Sequence, residues 1–403
     1  MSPFNWPAIL SSDYLLASLL PLVLFVLSLQ ILGRPADLLD IILGRTRRSS
    51  PASVGHFSVQ RAAASYAQYA KLARAELASM RASYQRMSWA HRRTGYALGY
   101  PRKLVRLEES IGTNAVVAKA IARLAREEFD EEERGLLAPG IKGDLGRVRE
   151  SLKHLVRDWS EEGRGEREVI FGPVLDVLRA CPGEKRAGKR VLVPGAGLGR
   201  LAWEISELGY QTTANELSFF MNLALRFLLS PSETQRPNQH VLQPYASWFS
   251  HQRTTDTLFR KVSFPDVVPR LSDDFALAER DFLSLRAPEG TPGYDFVVTL
   301  FFIDTSLNAI ETLEHIYALL RPGGRWINLG PLLWTSGGQA AVELSLEEVL
   351  KLAEAIGFDF AGNGGEAAEL VRRRTVECEY TADQTAMMKW LYQAEFWVAA
   401  KKP

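Results

Sequence analysis

Arg190 to Phe219 reads RVLVPGAGLGRLAWEISELGYQTTANELSF, and this stretch decides the fold. The aliphatic run Val191-Leu192-Val193 predicts a short strand, and Gly195-Ala196-Gly197-Leu198-Gly199 predicts the turn that leaves it. An amphipathic helix follows, and a second strand ends at the acid Glu216. Glycines at Gly195, Gly197 and Gly199 let the backbone turn tightly and approach a ligand with no Cβ in the way. An acid about 20 residues downstream can hold a pair of ribose hydroxyls. The stretch therefore predicts a nucleoside-binding βαβ unit. The alternative is that the glycines only tighten a strand-to-helix corner.

The spacing narrows the nucleoside. In G-A-G-L-G the third glycine comes one residue early for the pyrophosphate fingerprint G-x-G-x-x-G, and no Gly-Lys-Ser/Thr follows to make a phosphate loop. Behind the turn stand Arg200-Leu201-Ala202-Trp203, without the small residues a pyrophosphate needs nearby. What remains resembles motif I of the S-adenosylmethionine-dependent methyltransferases, with Glu216 as the ribose-binding acid.

The 403 residues have room for one large domain plus an accessory piece, and a 46% hydrophobic fraction suffices for a packed core. With 48 basic and 47 acidic residues the net charge is +1, so no whole-molecule field draws the chain to nucleic acid. Cys181 and Cys378 are too few for a disulfide framework and fit a reducing compartment. The six histidines are scattered without ligand spacing, so no metal site is expected.

At the N-terminus, YLLASLLPLVLFVLSLQIL (residues 14–32) carries no charge over a length that about 20 helical residues need to cross a bilayer. The residues before it lack the Lys or Arg of a secretory signal. Arg34, Arg45, Arg47 and Arg48 all follow it, which by the positive-inside rule faces the rest of the chain to the cytosol. The expectation is a membrane-anchored protein with a single transmembrane helix. The alternatives are a buried core helix or interfacial hairpin, and a cytoplasmic protein.

Residues 1–50 then form the anchor and a Ser-, Pro- and Arg-rich linker. Residues 51–150 read as a helical cap, with a helix break at Gly99-Tyr100-Pro101. Residues 151–403 read as the catalytic domain. Leu152 to Glu168 holds His154, Arg157, Trp159 and Glu166; charge pattern alone makes this a surface helix with i,i+4 pairs. Residues 232–274 form a long irregular insertion rich in Pro, Ser and Gln, expected to be a functional loop or lid. Asp281-Phe282 can either flank an adenine or begin a short helix as its cap. The apolar run Tyr294 to Thr305 predicts a central parallel strand with Asp304 at its carboxyl end, where open α/β sheets place their chemistry. A helix, the turn Arg321-Pro322-Gly323-Gly324 and another strand follow. Alternation throughout gives an α/β, doubly wound, Rossmann-like sheet of the class I methyltransferase type.

VPGAGLGRLAWEI, Asn215-Glu216 with SFFM, FFIDT, LRPGGRWINLGPLLW, ELSLEEV, MMKWLYQAEFWV and RDWSEEGRGER together resemble the carnosine N-methyltransferase family, over about residues 56–402. The resemblance overturns the surface-helix reading of 152–168. It implies transfer of a methyl group from S-adenosyl-L-methionine to a histidine imidazole nitrogen. It implies cofactor contacts at His154, Arg157, Gly195, Gly197, Gly199, Glu216, Asp281 and Phe282, with His154 standing where relatives usually carry Gln. It places the substrate acid at Asp304, an aromatic hydroxyl at Tyr392, and Thr335 where the family has histidine. The partners implied are a small His-containing peptide or a protein histidine, the membrane through the N-terminal helix, no nucleic acid, and a possible homodimer. Asp304 is the expected catalytic residue: accepting the N–H of the far ring nitrogen, it fixes the tautomer and stabilises the imidazolium. Three functions stay open at this point: the peptide methyltransferase, a protein-histidine methyltransferase, and a membrane-tethered protein that binds the cofactor without turnover.

Overall fold

The strand before the glycine turn lies at the centre of a sheet. A computed structural model describes residues 55–129, 140–334, 340–360 and 373–402. In it β1 (Arg190–Pro194) pairs in parallel with β2 (Gln211–Asn215) on one side, Val191 opposite Thr212. On the other side it pairs in parallel with the strand Tyr294–Leu300, Val191 opposite Phe296. With β3 (His240–Leu242), β4 (Val262–Phe264) and β5 (Phe275–Ala278) between them in sequence, Tyr294–Leu300 is β6. After it come β7 (Leu320–Gly330), β8 (Phe358–Asp359), β9 (Arg374–Cys378) and β10 (Tyr392–Lys401).

The main sheet has the order β5-β2-β1-β6-β7-β10-β8, and β9 pairs with β10. β10 runs antiparallel to β7 and to β8 and β9, so only one end of the sheet departs from the parallel arrangement. The strand order reverses between β1 and β6. A crevice therefore opens above their carboxyl ends, which is where ligands sit in such sheets.

Helices cover both faces. One face buries α5 (Arg164–Arg179) and α6 (Arg200–Glu207), through Ile170, Val174, Leu178, Leu201 and Ile205. The other buries α9 (Ala309–Leu319) and α10 (Leu346–Ile356), through Leu313, Ile316, Val349 and Ala353. Local chemistry sets the starts of these helices. Asn308 accepts the Glu311 N–H ahead of α9, and Ser345 with Glu348 forms a reciprocal capping box ahead of α10.

A third core joins the N-terminal helices to the sheet domain. It packs α1 (Val59–Gln85), α3 (Tyr100–Phe129) and α4 (Leu145–Trp159) against α7 (Phe219–Leu229). Ala62, Ala63 and Ala73 of α1 and Ala115, Ala118, Ala122 and Ala125 of α3 let the two long helices approach closely. The Tyr66 hydroxyl donates to the Phe220 carbonyl at 2.6 Å, which fixes α1 on α7. Burial of a large apolar side chain such as Phe220 or Phe227 adds roughly 1.5–3 kcal/mol apiece. The described residues from His56 onward form one compact unit.

Several expectations change. The class I Rossmann-like sheet stands, but the transmembrane helix expected with it is withdrawn. Among the described residues no helix is long and apolar enough to cross a membrane, and residues 14–32 lie outside those described. The helical region breaks not only at Gly99 but also after Gln85, where Ser88 caps a further helix, α2 (Trp89–Ala97). The insertion is not an irregular loop. It holds the β3–β4 hairpin and a short helix, α8 (Thr255–Leu258), and its Leu242, Leu258, Phe259 and Phe264 enter the helical core. Asn114 of α3 ties it down: its side chain donates to the Gln243 carbonyl at 3.0 Å and accepts the Gln243 N–H at 2.8 Å.

Candidate active site

The glycine turn is shaped by backbone conformations that other residues rarely adopt. Gly195, Gly197 and Gly199 have φ of 64°, 56° and 70°. A Cβ on Gly195 would stand 2.5 Å from Phe302, whereas one on Gly197 would meet nothing within 4 Å. The first glycine is thus required by packing, and the second faces open space. Two bonds from outside hold the loop. The Trp159 indole N–H donates to the Leu198 carbonyl at 2.9 Å, and the Gly197 N–H donates to Glu216 at 2.9 Å.

Glu216 follows β2 and accepts a second N–H, from Ser218 at 2.8 Å. Burial raises its pKa, against these backbone donors. Each carboxylate oxygen keeps a lone pair for a hydroxyl donor. Asp281 follows β5 and accepts the Leu283 N–H at 2.9 Å, so it is the cap of a short 3-10 turn. The Phe282 ring stands edge-on to Phe302, at 5.2 Å between centroids, and to His315, at 4.9 Å. Phe302 in turn borders Gly195, so Phe282 and the turn belong to one wall.

At the end of α4 lies a buried polar cluster. Arg157 makes a two-pronged pair with its neighbour Asp158, at 2.6 and 2.9 Å, and its remaining Nη1 has no hydrogen-bond partner. His154, one helical turn earlier, is also buried, with Nδ1 unpartnered. Burial first, and then the Arg157 charge, push its pKa down to about 3, so the ring is neutral. Both side chains rest on Tyr380: the Arg157 guanidinium lies 4.3 Å from the ring centre, and the His154 ring meets it edge-on at 5.9 Å. Orphaned buried donors are rare and point to a missing partner.

Tyr380 also begins a ladder of rings. Phe301 stacks on it at 4.3 Å and 21°, and Tyr392 meets Phe301 edge-on at 5.5 Å. Beyond this, at the carboxyl end of β6, is Asp304, 5% exposed on a 3-10 turn (Ile303–Thr305). It accepts the Leu333 N–H at 2.9 Å. Burial pushes its pKa up to about 6, against that bond. Burial, followed by the Asp304 charge, raises the Tyr392 hydroxyl.

The structure therefore gathers His154, Arg157, Gly195, Gly197, Gly199 and Glu216 around the carboxyl end of β1. Asp281 and Phe282 follow β5, on the far side of β2, and Asp304 lies past β6, where its charge acts on Tyr392. Thr335 lies outside the described residues. Sequence reasoning missed Asp158, Phe301 and Tyr380. The Arg157-Asp158 adjacency was a visible signal for the first. Phe301 and Tyr380 are nearly 80 residues apart, with no periodicity linking them. Among the described residues no group of His, Cys, Asp or Glu could hold a metal ion.

A sheet of this order, with a motif I turn on β1 and an acid ending β2, defines a class I S-adenosylmethionine-dependent methyltransferase. The family model described as carnosine N-methyltransferase matches residues 137–403. The chain is 33% identical to the carnosine N-methyltransferase of Mus musculus over 316 residues, 75% of this chain and 76% of that one. With the carnosine N-methyltransferase of Schizosaccharomyces pombe it shares 34% over 319 residues, 74% and 82% of the two chains. It belongs to the carnosine N-methyltransferase family, and is an S-adenosylmethionine-dependent N-methyltransferase.

Proposed function

We propose that this enzyme methylates an imidazole nitrogen of a small His-containing peptide of the carnosine kind. The residues fit the cofactor. Arg157 Nη1, buried and unpartnered, suits the carboxylate of the methionine end, and the neutral His154 ring beside it offers a further polar contact. Glu216 suits the ribose hydroxyls, and Gly197 leaves room for close approach. Asp281 and Phe282 would border the adenine.

Bound S-adenosylmethionine supplies an electrophilic methyl on a sulfonium, which passes to a nitrogen lone pair in one displacement. The protein's part is to present that lone pair. An imidazole of pKa near ~6.5 is mostly neutral at neutral pH, so positioning matters more than activation. Asp304 is fixed by the Leu333 N–H and surrounded by apolar groups, and it can accept the N–H of the ring nitrogen that does not react. That choice leaves the other nitrogen with its lone pair free. As methyl transfer turns the ring into an imidazolium, the buried carboxylate stabilises the new charge. The Tyr392 hydroxyl stands near enough to Asp304 to feel its charge and bounds the same space.

The observation that carries this reading is Asp304, a buried acid at the switch end of the sheet. The test is incubation of the enzyme with methyl-labelled S-adenosylmethionine and a panel of dipeptides with and without histidine. Label should enter only the histidine peptides and be lost in Asp304→Asn. Label on protein and on no dipeptide, or equal labelling by Asp304→Asn, would sink it.

A further inference from the structure

The α1–α3 hairpin ends in a tip that the catalytic site does not use. Between Glu76 and Glu108 there is no acidic residue and there are seven Lys or Arg, in a chain whose net charge is +1. Arg81 and Arg106 are neutralised by Glu108 and Asp256. Arg86, Arg92, Arg93 and Arg102 form no ion pair among the described residues. The helix that closes the tip, α2, buries none of its residues.

The direction in which α2 faces is fixed. Gly95 points at α1, where a Cβ would stand 2.7 Å from the Tyr84 ring, and the Tyr84 hydroxyl donates to the Arg92 carbonyl at 2.6 Å. The stripe at i, i+3, i+4 and i+7, formed by Trp89, Arg92, Arg93 and Tyr96, is exposed along its whole length. Trp89 is 67% exposed, Tyr96 76% and the following Leu98 82%. The Arg93 guanidinium lies 5.6 Å from the centre of the Trp89 ring.

We propose that this tip docks on an anionic lipid surface, with Trp89, Tyr96 and Leu98 in the headgroup layer and the unpaired arginines against acidic headgroups. Aromatic rings beside basic side chains suit that boundary, and each basic residue near it strengthens binding about fivefold. The exposed rings favour lipid over nucleic acid, because Trp89 and Tyr96 stand on a helix that buries none of its residues, outside the cleft that Leu98 and Arg102 border between α1, α2 and α3. Charge disfavours a second copy placed symmetrically on the same patch, since arginine would face arginine. The proposal uses residues 86–102 and is independent of the stretch 14–32.

The test is co-sedimentation of the full chain with vesicles of phosphatidylcholine alone and of phosphatidylcholine doped with phosphatidylserine. The readout is the excess binding that phosphatidylserine causes, so any adhesion common to both vesicles cancels. The double variant Arg92→Ala/Arg93→Ala should lower that excess roughly 25-fold. Trp89→Ser/Tyr96→Ser should lower it at least tenfold. Methyl transfer without lipid should stay unchanged in both, which shows that they fold. No excess in the parent chain, or an excess that survives both double variants, overturns the proposal. So does a lipid-free dimer that either variant dissociates, which assigns the tip to a second copy. Displacement of the chain from duplex oligonucleotide but not from vesicles by these changes also overturns it.

Discussion

Burial raises the Asp304 carboxyl to about 6, so keeping it ionised at neutral pH costs the fold roughly 2–3 kcal/mol. The sign follows from proton counting. Between about pH 4 and 6 the folded chain holds a proton on Asp304 that the unfolded chain has released. Stability from this group therefore rises as pH falls through 6, and the penalty is complete above it. Asp304→Asn should raise Tm at pH 8 and leave it unchanged at pH 4, while lowering kcat about 100-fold or more. Binding of S-adenosylhomocysteine, followed by calorimetry, should not change. His154 has the opposite sign. Its folded pKa of about 3 lies below the usual value, so stability is lost as pH falls from about 6.5 towards 3. His154→Gln should keep the protein folded further into acid, measured as the pH midpoint of unfolding, with cofactor affinity within a few-fold. Asp304 was legible in sequence because it follows the apolar run of β6, and Glu216 because it stands about 20 residues after the glycine turn, although β2 itself reads QTTAN. The reason His154 is neutral was not, since it depends on Tyr380 closing over it from 226 positions away.

At the level of elements, the connection between β9 and β10 decides how closed the site is. It carries Tyr380 inward and is pinned from several sides. The Thr381 and Ala382 N–H groups donate to Glu166 of α5, at 2.6 and 3.2 Å. Arg260, from the insertion, bonds Glu162 and Asp383, each at 2.7 Å, and Thr385 at 2.9 Å. One guanidinium thereby joins the turn after α4, the insertion and this connection. Arg260→Met should loosen the connection without emptying the core. The expected result is a KM for the peptide raised about tenfold, a smaller change in kcat, and faster proteolysis between β9 and β10. This geometry explains why the insertion was read as a lid. Its Pro, Ser and Gln content reads as irregular, but its Phe259 and Phe264 enter the helical core while Trp248 stays half exposed. Composition shows that such a segment lacks period; it does not show which rings point inward. The helices after β6 were easier to place, because Asn308 and Ser345 cap them, but Arg321-Pro322-Gly323-Gly324, expected as a turn before the strand, lies inside β7 as an irregularity in its pairing with β6.

Across the whole molecule, the helices and the sheet are held at a buried ionic centre. Asp266 of the insertion bonds Arg167 of α5 at 2.7 Å and Arg200 of α6 at 2.6 Å, and its N–H donates to the Trp159 carbonyl. Arg167 also donates to the Arg157 and Ser160 carbonyls, and Arg200 to that of Asp158. The end of α4, which carries the cofactor cluster, is thus set against the helix that follows the glycine turn. Asp266→Ala leaves two guanidinium groups buried with less compensation. It should destabilise the protein by about 3–5 kcal/mol in denaturant titration and weaken S-adenosylhomocysteine binding in parallel. No sequence window contains these partners, so the centre is a product of the fold alone. The sheet adds a consequence in time. β10 lies between β7 and β8, yet it is translated after every other strand. Until β10 docks on β7, β8 and β9 have no strand to pair with and the site lacks Tyr392. The cofactor turn needs only β1, β2 and the helix between them, so it can form before β10 docks, whereas the side of the site that holds Tyr392 is complete only afterwards.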